Sequence, residues 1–244
     1  MPARACPLTP MIQDMTMTLT EAGLYRLMTW LSPSYPLGAF SCSHGLEYAV
    51  EAQLVRDAPS FTRWLGATIA RGAGSVDAAL LAAAWRAATA GDATACERVT
   101  ALAAAWRGTA ETALESAGQG EAFVAVTLSV WTEPILANLA AKLGRKIPLS
   151  VAVGIAAAGH GIALEPTIFA FLQSFAANLV SAGVRLIPLG QTDGQRAIAA
   201  LEPEISRATA AALAADLDDI GTATPLIDWC SMKHETQYTR LYRS

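Results

Sequence analysis

Charged side chains are scarce in this chain of 244 residues, at 16% of the composition, against about 25% in average soluble proteins. Acidic residues outnumber basic ones by 21 to 17, so the formal net charge is −4. Lysine and arginine form no long run anywhere in the sequence. Proteins that bind nucleic acid carry a basic patch or stripe, so we predict no nucleic-acid partner.

Cysteine and histidine are few and widely spaced. The four cysteines form no CxxC pair, and His44, His160 and His234 show neither HxH nor HExxH spacing. Disulfide frameworks and structural zinc sites need closer ligand spacing than this. The glycine-rich stretches match no phosphate-binding fingerprint. We therefore predict a cytoplasmic, reduced protein with no metal site and no cofactor.

Charge is absent from residues 147–164 and again from residues 166–184, and either stretch is long enough to cross a bilayer. Both contain glycine and polar side chains, however, and neither is flanked by basic clusters or by belts of tryptophan and tyrosine. We predict two buried core helices and no membrane span.

Alanine is abundant, in runs such as LLAAAWRAATA and ATAAALAAD, and hydrophobic residues reach 53%. Alanine is the best helix former and allows helices to approach closely, while no segment alternates apolar and polar residues as a strand does. The predicted fold is all-α. It is a single globular domain of roughly ten tightly packed, Ala-rich helices over residues 21–244, after a flexible N-terminal leader over residues 1–20.

Several helix boundaries can be predicted from capping residues and proline. Asp57 followed by Pro59 predicts a helix start, Asp92 is placed to cap another helix, and Pro134 is expected to divide a third. In the first helix, the predicted buried face consists of Leu24, Leu27, Met28 and Leu31.

Two later segments are less regular. The polar, glycine-rich stretch 108–120 is predicted to be a looser join between helices. Thr192 and Gln195 have the spacing of a capping box, and Pro203 is expected to end that helix or to start the next one.

A cysteine, a histidine and a glutamate lie close together at Cys42, His44 and Glu47, which suggests a small helical enzyme. A catalytic nucleophile needs a base and an orienting group that the fold positions, and the sequence has no family signature for this. Half-buried Cys42 and His44 beside a helix-capping serine would explain the same segment without chemistry. The enzyme is retained as the alternative function.

The loop SPSYPLGAF combines Tyr35, Leu37 and Phe40 with two prolines and a glycine. A stiff apolar loop loses little conformational entropy on docking, so it could bind a partner, and it could equally insert its aromatic residues into the core.

The C-terminal tail, about residues 230–244, is charged and aromatic, unlike the Ala-rich body. Tyrosine and arginine dominate binding hot spots, so a partner-binding tail is favoured over a passive end. We expect removal of the last dozen residues to spare the fold. The candidate contact residues in this tail are Lys233, Tyr238, Arg240, Tyr242 and Arg243.

Three motifs resemble the UreF family of urease accessory proteins. They are LSPSYPLGAFSCSHGLE at the amino-terminal end, NLVSAGVRLIPLGQTDGQ in the middle and MKHETQYTRLYRS at the carboxyl end. The resemblance implies an all-α homodimer without catalytic activity. Such a protein joins a UreD/UreH-type accessory protein and a UreG-type GTPase, and the complex loads nickel into urease apoprotein in a step that depends on GTP.

The resemblance also implies roles for single residues. Arg240 lies in the Tyr-x-Arg-Leu motif linked to recruitment of the GTPase, Arg185 lies at or near the surface facing the GTPase, and Phe40 lies near the dimer or GTPase contact. Cys42 and Leu37 are variants within the first motif, and contacts from residues 115–121 are not implied because related chains tend to be more basic there.

Overall fold

The computed structural model describes residues 18–244, so most of the predicted leader lies outside the described residues. Within residues 18–244 all regular secondary structure is helical, and short 3₁₀ turns occupy Ala39–Ser41 and Leu217–Asp219. The α-helices are α1 (Glu21–Trp30), α2 (Leu46–Glu51), α3 (Ala58–Arg71), α4 (Ala73–Thr89), α5 (Ala93–Ala105), α6 (Ala110–Val130), α7 (Pro134–Leu143), α8 (Leu149–Gly159), α9 (Leu164–Leu186), α10 (Gln191–Ala214) and α11 (Pro225–His234).

The core is built around α4 and α8, which pack against each other more extensively than any other helix pair in the described chain. Small residues allow this approach: a β-carbon added at Gly154 of α8 would lie only 2.6 Å from the Leu81 carbonyl oxygen of α4. Helices α3, α5, α9 and α10 also pack against α4. The prediction of one all-helical, Ala-rich domain is confirmed.

Local capping signals predicted several helix ends correctly. The Asp57 carboxylate accepts the Ser60 N–H at 2.9 Å at the start of α3, and the Asp92 carboxylate accepts the Ala95 N–H at 2.8 Å at the start of α5. Pro134 is the first residue of α7 and separates that helix from α6. Each cap satisfies backbone N–H groups that a helix leaves unpaired.

The looser join predicted at residues 108–120 is wrong, because α6 runs without interruption through most of this stretch. Gly120 serves close packing here: a β-carbon at this position would lie 1.8 Å from the Ile147 carbonyl oxygen. Gly118, two residues earlier, faces open space. The glycines that suggested a break therefore lie inside a helix, and one of them admits a neighbouring chain segment.

The boundaries predicted for α10 are also wrong. Gly190 caps this helix, and its N–H is donated to the Asp193 carboxylate at 3.3 Å, so Thr192 lies inside the first turn. Pro203 lies in the helix interior, with its ring exposed to solvent. Extensive packing of α10 against α9, α3 and α4 offsets the cost of an internal proline, about 3 kcal/mol.

Helix α1 buries a different face from the one predicted. Leu27 is buried and Leu31 is partly buried, but Leu24 and Met28 are exposed and line an apolar groove beside Phe169 of α9. Trp30, which the pattern did not place on that face, is fully buried.

One described helix, α9, is long and apolar enough to cross a membrane by length and composition. Half of its most apolar window is buried inside the protein. The other uncharged stretch contains α8, which at 11 residues is too short to cross a bilayer.

Candidate functional site

The first and last sequence motifs, which are far apart in the chain, meet at one place that we call the tail junction. It consists of residues 38–47, the end of α9 and the final segment, residues 240–244. The Ser41 carbonyl accepts the Arg243 N–H at 2.8 Å, and the Ser244 carbonyl accepts the Ser43 N–H at 2.6 Å. The final segment therefore packs on the loop that leads into α2.

Arg185, at the end of α9, adds the central motif to this junction. Its Nη2 donates to the Phe40 carbonyl at 3.2 Å, and its Nε donates to the Ser181 carbonyl at 3.0 Å. The guanidinium carbon lies 5.1 Å from the centre of the Tyr242 ring, within the range of a cation–π contact. One side chain thus connects the proline–glycine loop, α9 and the final segment.

Glu47 of α2 is the first anchor of the final segment. Its two carboxylate oxygens accept the Leu241 N–H at 2.7 Å and the Tyr242 N–H at 3.0 Å. The same carboxylate lies 2.9 Å from Nε2 of His234. Because Glu47 is almost completely buried, these donors replace the water that would otherwise solvate its charge.

Glu111 of α6 forms the second anchor. One of its oxygens accepts from Arg240 Nη2 at 2.6 Å, and the other lies 2.7 Å from Nδ1 of His234. Arg240 Nη2 also donates to the Arg243 carbonyl at 2.7 Å. Arg240 therefore organises the backbone of the final segment while part of its side chain stays exposed.

Glu115, one turn further along α6, forms the third anchor. Its Oε2 accepts from the Ser244 hydroxyl at 2.9 Å and lies 3.4 Å from Nδ1 of His44. Burial alone would lower the pKa of His44, but the hydrogen bond and charge of Glu115 raise it above its usual value. Burial would raise the pKa of Glu115, but His44 and Ser244 hold it below its usual value.

A buried ion pair lies behind His44. Arg107 donates to both oxygens of Asp77, at 2.7 and 3.1 Å, and the Ser150 hydroxyl donates to the same carboxylate at 2.8 Å. Although burial opposes the charge of Asp77, Arg107 holds the pKa of this carboxyl below its usual value. This ion pair fixes α4 and α8 next to the chain that follows α5.

The structure does not arrange Cys42, His44 and Glu47 as a catalytic site. His44 is paired with Glu115 and Glu47 with His234, so neither is positioned as a base or orienting group for Cys42. Burial, followed by the charge of Glu115, raises the pKa of the Cys42 thiol, which makes it a poor nucleophile. In the part of the chain that the structure describes, no group of three or more His, Cys, Asp or Glu side chains could hold a metal ion.

The proline–glycine loop combines both of the roles considered for it. Tyr35 is buried, and its hydroxyl is hydrogen-bonded to the Thr127 hydroxyl at 2.9 Å in the core. Phe40 is 67% exposed and projects from the same loop. The loop is therefore fixed by one aromatic side chain and presents the other to solvent.

The predicted contact residues of the tail differ in exposure. Lys233, Tyr238, Arg240 and Arg243 reach the surface, and the Lys233 amine lies 5.9 Å from the centre of the exposed Trp229 ring. Tyr242 is only 5% exposed and packs in the core. We therefore assign Tyr242 an anchoring role, whereas Lys233, Tyr238, Arg240 and Arg243 remain exposed.

The expectation that the last dozen residues could be removed without affecting the fold is not supported by this packing. Tyr242 and Ser244 are buried, and the buried carboxylates of Glu47 and Glu111 are satisfied in part by the final segment. Their loss would leave buried charges without partners, which is costly.

The anchoring residues were largely missed at the sequence level. Glu111 and Glu115 lie four residues apart, which places both on one face of a helix, but the stretch was interpreted as a loose join. His234 was interpreted only as an isolated histidine. The available signal was the i, i+4 spacing of the two carboxylates.

Comparison with known proteins identifies the family. The UreF family model matches residues 55–202 of this chain. A urease accessory protein UreF from Granulibacter bethesdensis is 50% identical over 236 residues, which cover 96% of this chain and 100% of that protein. A UreF from Rhodopseudomonas palustris (strain BisB5) is 50% identical and the alignment covers 92% of each chain. A UreF from Bradyrhizobium diazoefficiens is 45% identical over 91% of this chain and 92% of that protein.

The alignments with the first two relatives extend over more than nine-tenths of this chain, and the family model covers residues 55–202 of the helical body. The relatives are named as accessory proteins of urease, which are chaperones and not enzymes, so the prediction that this chain is not an enzyme is confirmed. The chain belongs to the UreF family of urease accessory proteins.

Proposed function

We propose that this protein is a helical scaffold in the maturation of urease. It binds a UreD/UreH-type accessory protein and a UreG-type GTPase, and the assembly loads nickel into urease apoprotein. In this assembly the protein couples or proofreads the GTP-dependent step and performs no chemistry of its own. Nickel is the cargo of the assembly, and no residue of this chain is assigned as a nickel ligand.

The observation that carries this proposal is the exposed surface at the tail junction. Phe40, Arg240 and Arg243 reach solvent there, Tyr238 is exposed just before the final segment, and a set of buried carboxylates holds the backbone of that segment. Tyrosine and arginine on a preorganised backbone lose little entropy on binding, which favours tight association. Arg185 and Arg243 also place exposed positive charge at the tail junction, which favours an acidic face on the partner.

The proposal extends to the assembly state and the location of the protein. We expect a homodimer in the cytoplasm, where the GTPase and urease apoprotein are available. The resemblance of the three motifs to the family supports the dimer, and Phe40, near the expected dimer or GTPase contact, is accessible to either neighbour.

Size-exclusion chromatography with light scattering tests this proposal, on the chain alone and mixed with its UreD/UreH-type and UreG-type partners. We expect a dimer that enters a larger complex. Arg240→Ala and Arg185→Ala should weaken recruitment of the GTPase. Arg207→Ala removes an exposed cation that is paired with Glu204 on α10, away from the tail junction, and serves as the matched control.

A monomer that ignores both partners would overturn the scaffold. Equal loss of GTPase recruitment in the Arg207→Ala control would show that general charge, and not the tail junction, drives association.

A further inference from the structure

His234, the last residue of α11, is completely buried between two carboxylates. Its Nδ1 lies 2.7 Å from Glu111 Oε2, and its Nε2 lies 2.9 Å from Glu47 Oε2. An ionised carboxylate can only accept hydrogen bonds, so each ring nitrogen must donate one. Two donating nitrogens require an imidazole that carries both protons and therefore a positive charge.

The charge balance around this ring leads to the same conclusion. The cluster contains two negative groups, Glu47 and Glu111, and Arg240 neutralises only the second of them directly. A buried carboxylate without a positive partner costs several kcal/mol. With His234 protonated, the four side chains sum to zero charge.

Two carboxylates contact His234, Glu47 from α2 and Glu111 from α6. The tail contacts these carboxylates in turn, since Arg240 donates to Glu111 and the Tyr242 N–H donates to Glu47. Both carboxylates that His234 holds are the ones that bind the final segment. A side chain with only one donor at this position would leave an oxygen of Glu47 or Glu111 without its hydrogen bond.

We infer that His234, as an imidazolium, is a positioning residue that clamps Glu47 and Glu111 in the geometry that receives the final segment. It touches no partner itself. It sets the position of Arg240 and of the backbone at Leu241 and Tyr242, on which the exposed tail surface depends. The relevance to complex assembly rests on the proposed function, whereas the clamp is a property of the isolated chain.

The clamp predicts that docking of the final segment depends on both N–H donors of the His234 ring. The backbone N–H groups of Leu241 and Tyr242 report docking because both are donated to Glu47. Their exchange with solvent deuterium, corrected for the intrinsic effect of pH, measures the open fraction of the final segment.

The experiment combines nitrogen NMR of the imidazole rings with amide exchange on the full chain without partners. At pH 7 we expect both nitrogens of His234 to be protonated, and we expect the Leu241 and Tyr242 amides to be protected from exchange. His234→Gln, which cannot donate in two opposite directions, should speed exchange at both amides roughly ten- to a hundredfold. His160→Gln alters a histidine at the end of α8 outside the tail junction and should leave both amides unchanged.

A His234 ring that carries a single proton at pH 7 would overturn the inference, and this measurement on the unaltered chain does not depend on whether a variant folds. Unchanged exchange at Leu241 and Tyr242 in a folded His234→Gln variant would also overturn it. This experiment contains no partner, so a negative result would overturn the clamp and would not bear on the scaffold proposal. Conversely, an intact clamp in a protein that binds no partner would overturn only the scaffold proposal.

Discussion

Glu47 and His234 are 187 residues apart in the sequence, yet Glu47 Oε2 and His234 Nε2 lie 2.9 Å apart in the buried interior. This contact joins the helix that follows the proline–glycine loop to the helix that precedes the final segment. The surface that we assign to partner binding is therefore held by the core of the same chain. Preorganisation of this kind reduces the entropy that a partner must remove on binding.

The first prediction concerns Glu47→Gln. The Glu47 carboxylate accepts hydrogen bonds from the Leu241 N–H, the Tyr242 N–H and the His234 ring. Glutamine keeps the shape of the side chain but replaces one of the two accepting oxygens with an NH₂ group. At least one buried donor then loses its acceptor. We expect the free energy of unfolding to fall by about 2–4 kcal/mol, measured by urea denaturation. Glu202→Gln, on the exposed face of α10, should change it by less than about 0.5 kcal/mol. Equal effects of the two substitutions would contradict the anchoring role.

The second prediction is a pH dependence that arises from His44 and Glu115. The folded-state pKa of His44 is raised above 6.5, so its stabilising contribution is present below that pH and is lost as pH rises through the raised value. The pKa of Glu115 is lowered from 4.5, so its contribution is present above that pH and is lost as pH falls through the lowered value. In His44→Gln, the free energy of unfolding should therefore fall less steeply as pH rises above 6.5 than it does in the unaltered protein. Urea denaturation at a series of pH values measures this.

His160 provides a control for this prediction, because its pKa is shifted in the opposite direction from that of His44. Burial lowers the pKa of His160 from 6.5, so protonation of this ring opposes folding, and stability is lost as pH falls. His160→Gln should reduce the loss of stability at acidic pH and leave the stability at alkaline pH unchanged. If the His44 and His160 variants shift the profile in the same direction, the pairing of His44 with Glu115 is not the cause.

The third prediction uses two glycines of one helix. Gly120→Ala would place a β-carbon 1.8 Å from the Ile147 carbonyl oxygen, so α6 must move away from the chain that leads into α8. We expect a loss of at least about 2 kcal/mol in the free energy of unfolding. Gly118→Ala meets nothing within 4 Å and should stabilise the protein by about 0.5–1 kcal/mol, because alanine favours the helix. Stabilisation by both substitutions would mean that α6 does not approach Ile147 closely.

Much of the fold could be predicted because its determinants are local. Asp57 and Asp92 mark helix starts by capping the N–H group three residues later, and Pro134 marks one because its fixed φ suits the first turn. The alanine content predicts an all-helical domain. The errors occurred where tertiary packing overrides local preference. Pro203 stays inside α10, and the glycines of α6 stay helical, because neighbouring helices stabilise both segments.

The candidate site was predictable only in part, for a different reason. Phe40, Arg185 and Arg240 belong to motifs that resemble a family, but nothing in their spacing indicates that these motifs meet. The anchors Glu47, Glu111 and His234 depend on contacts across more than 100 residues, and periodicity carries no information at that range. Buried charges of this kind can be identified only when the fold shows which of them are paired.

The final prediction separates contact from anchoring within the tail. Tyr238 is fully exposed, so Tyr238→Ala should leave the free energy of unfolding within about 0.5 kcal/mol of the unaltered protein and weaken association with the GTPase, measured by light scattering of the mixture. Tyr242→Ala removes a buried ring that packs under Arg185, and we expect a loss of about 3 kcal/mol or more in stability. Tyr242→Phe keeps the ring and gives up only a hydroxyl contact of 3.5 Å with the Ala182 carbonyl, so it should preserve both stability and association. If Tyr238→Ala destabilised the chain, or if Tyr242→Phe abolished association, the division between an exposed contact surface and a buried anchor would be wrong.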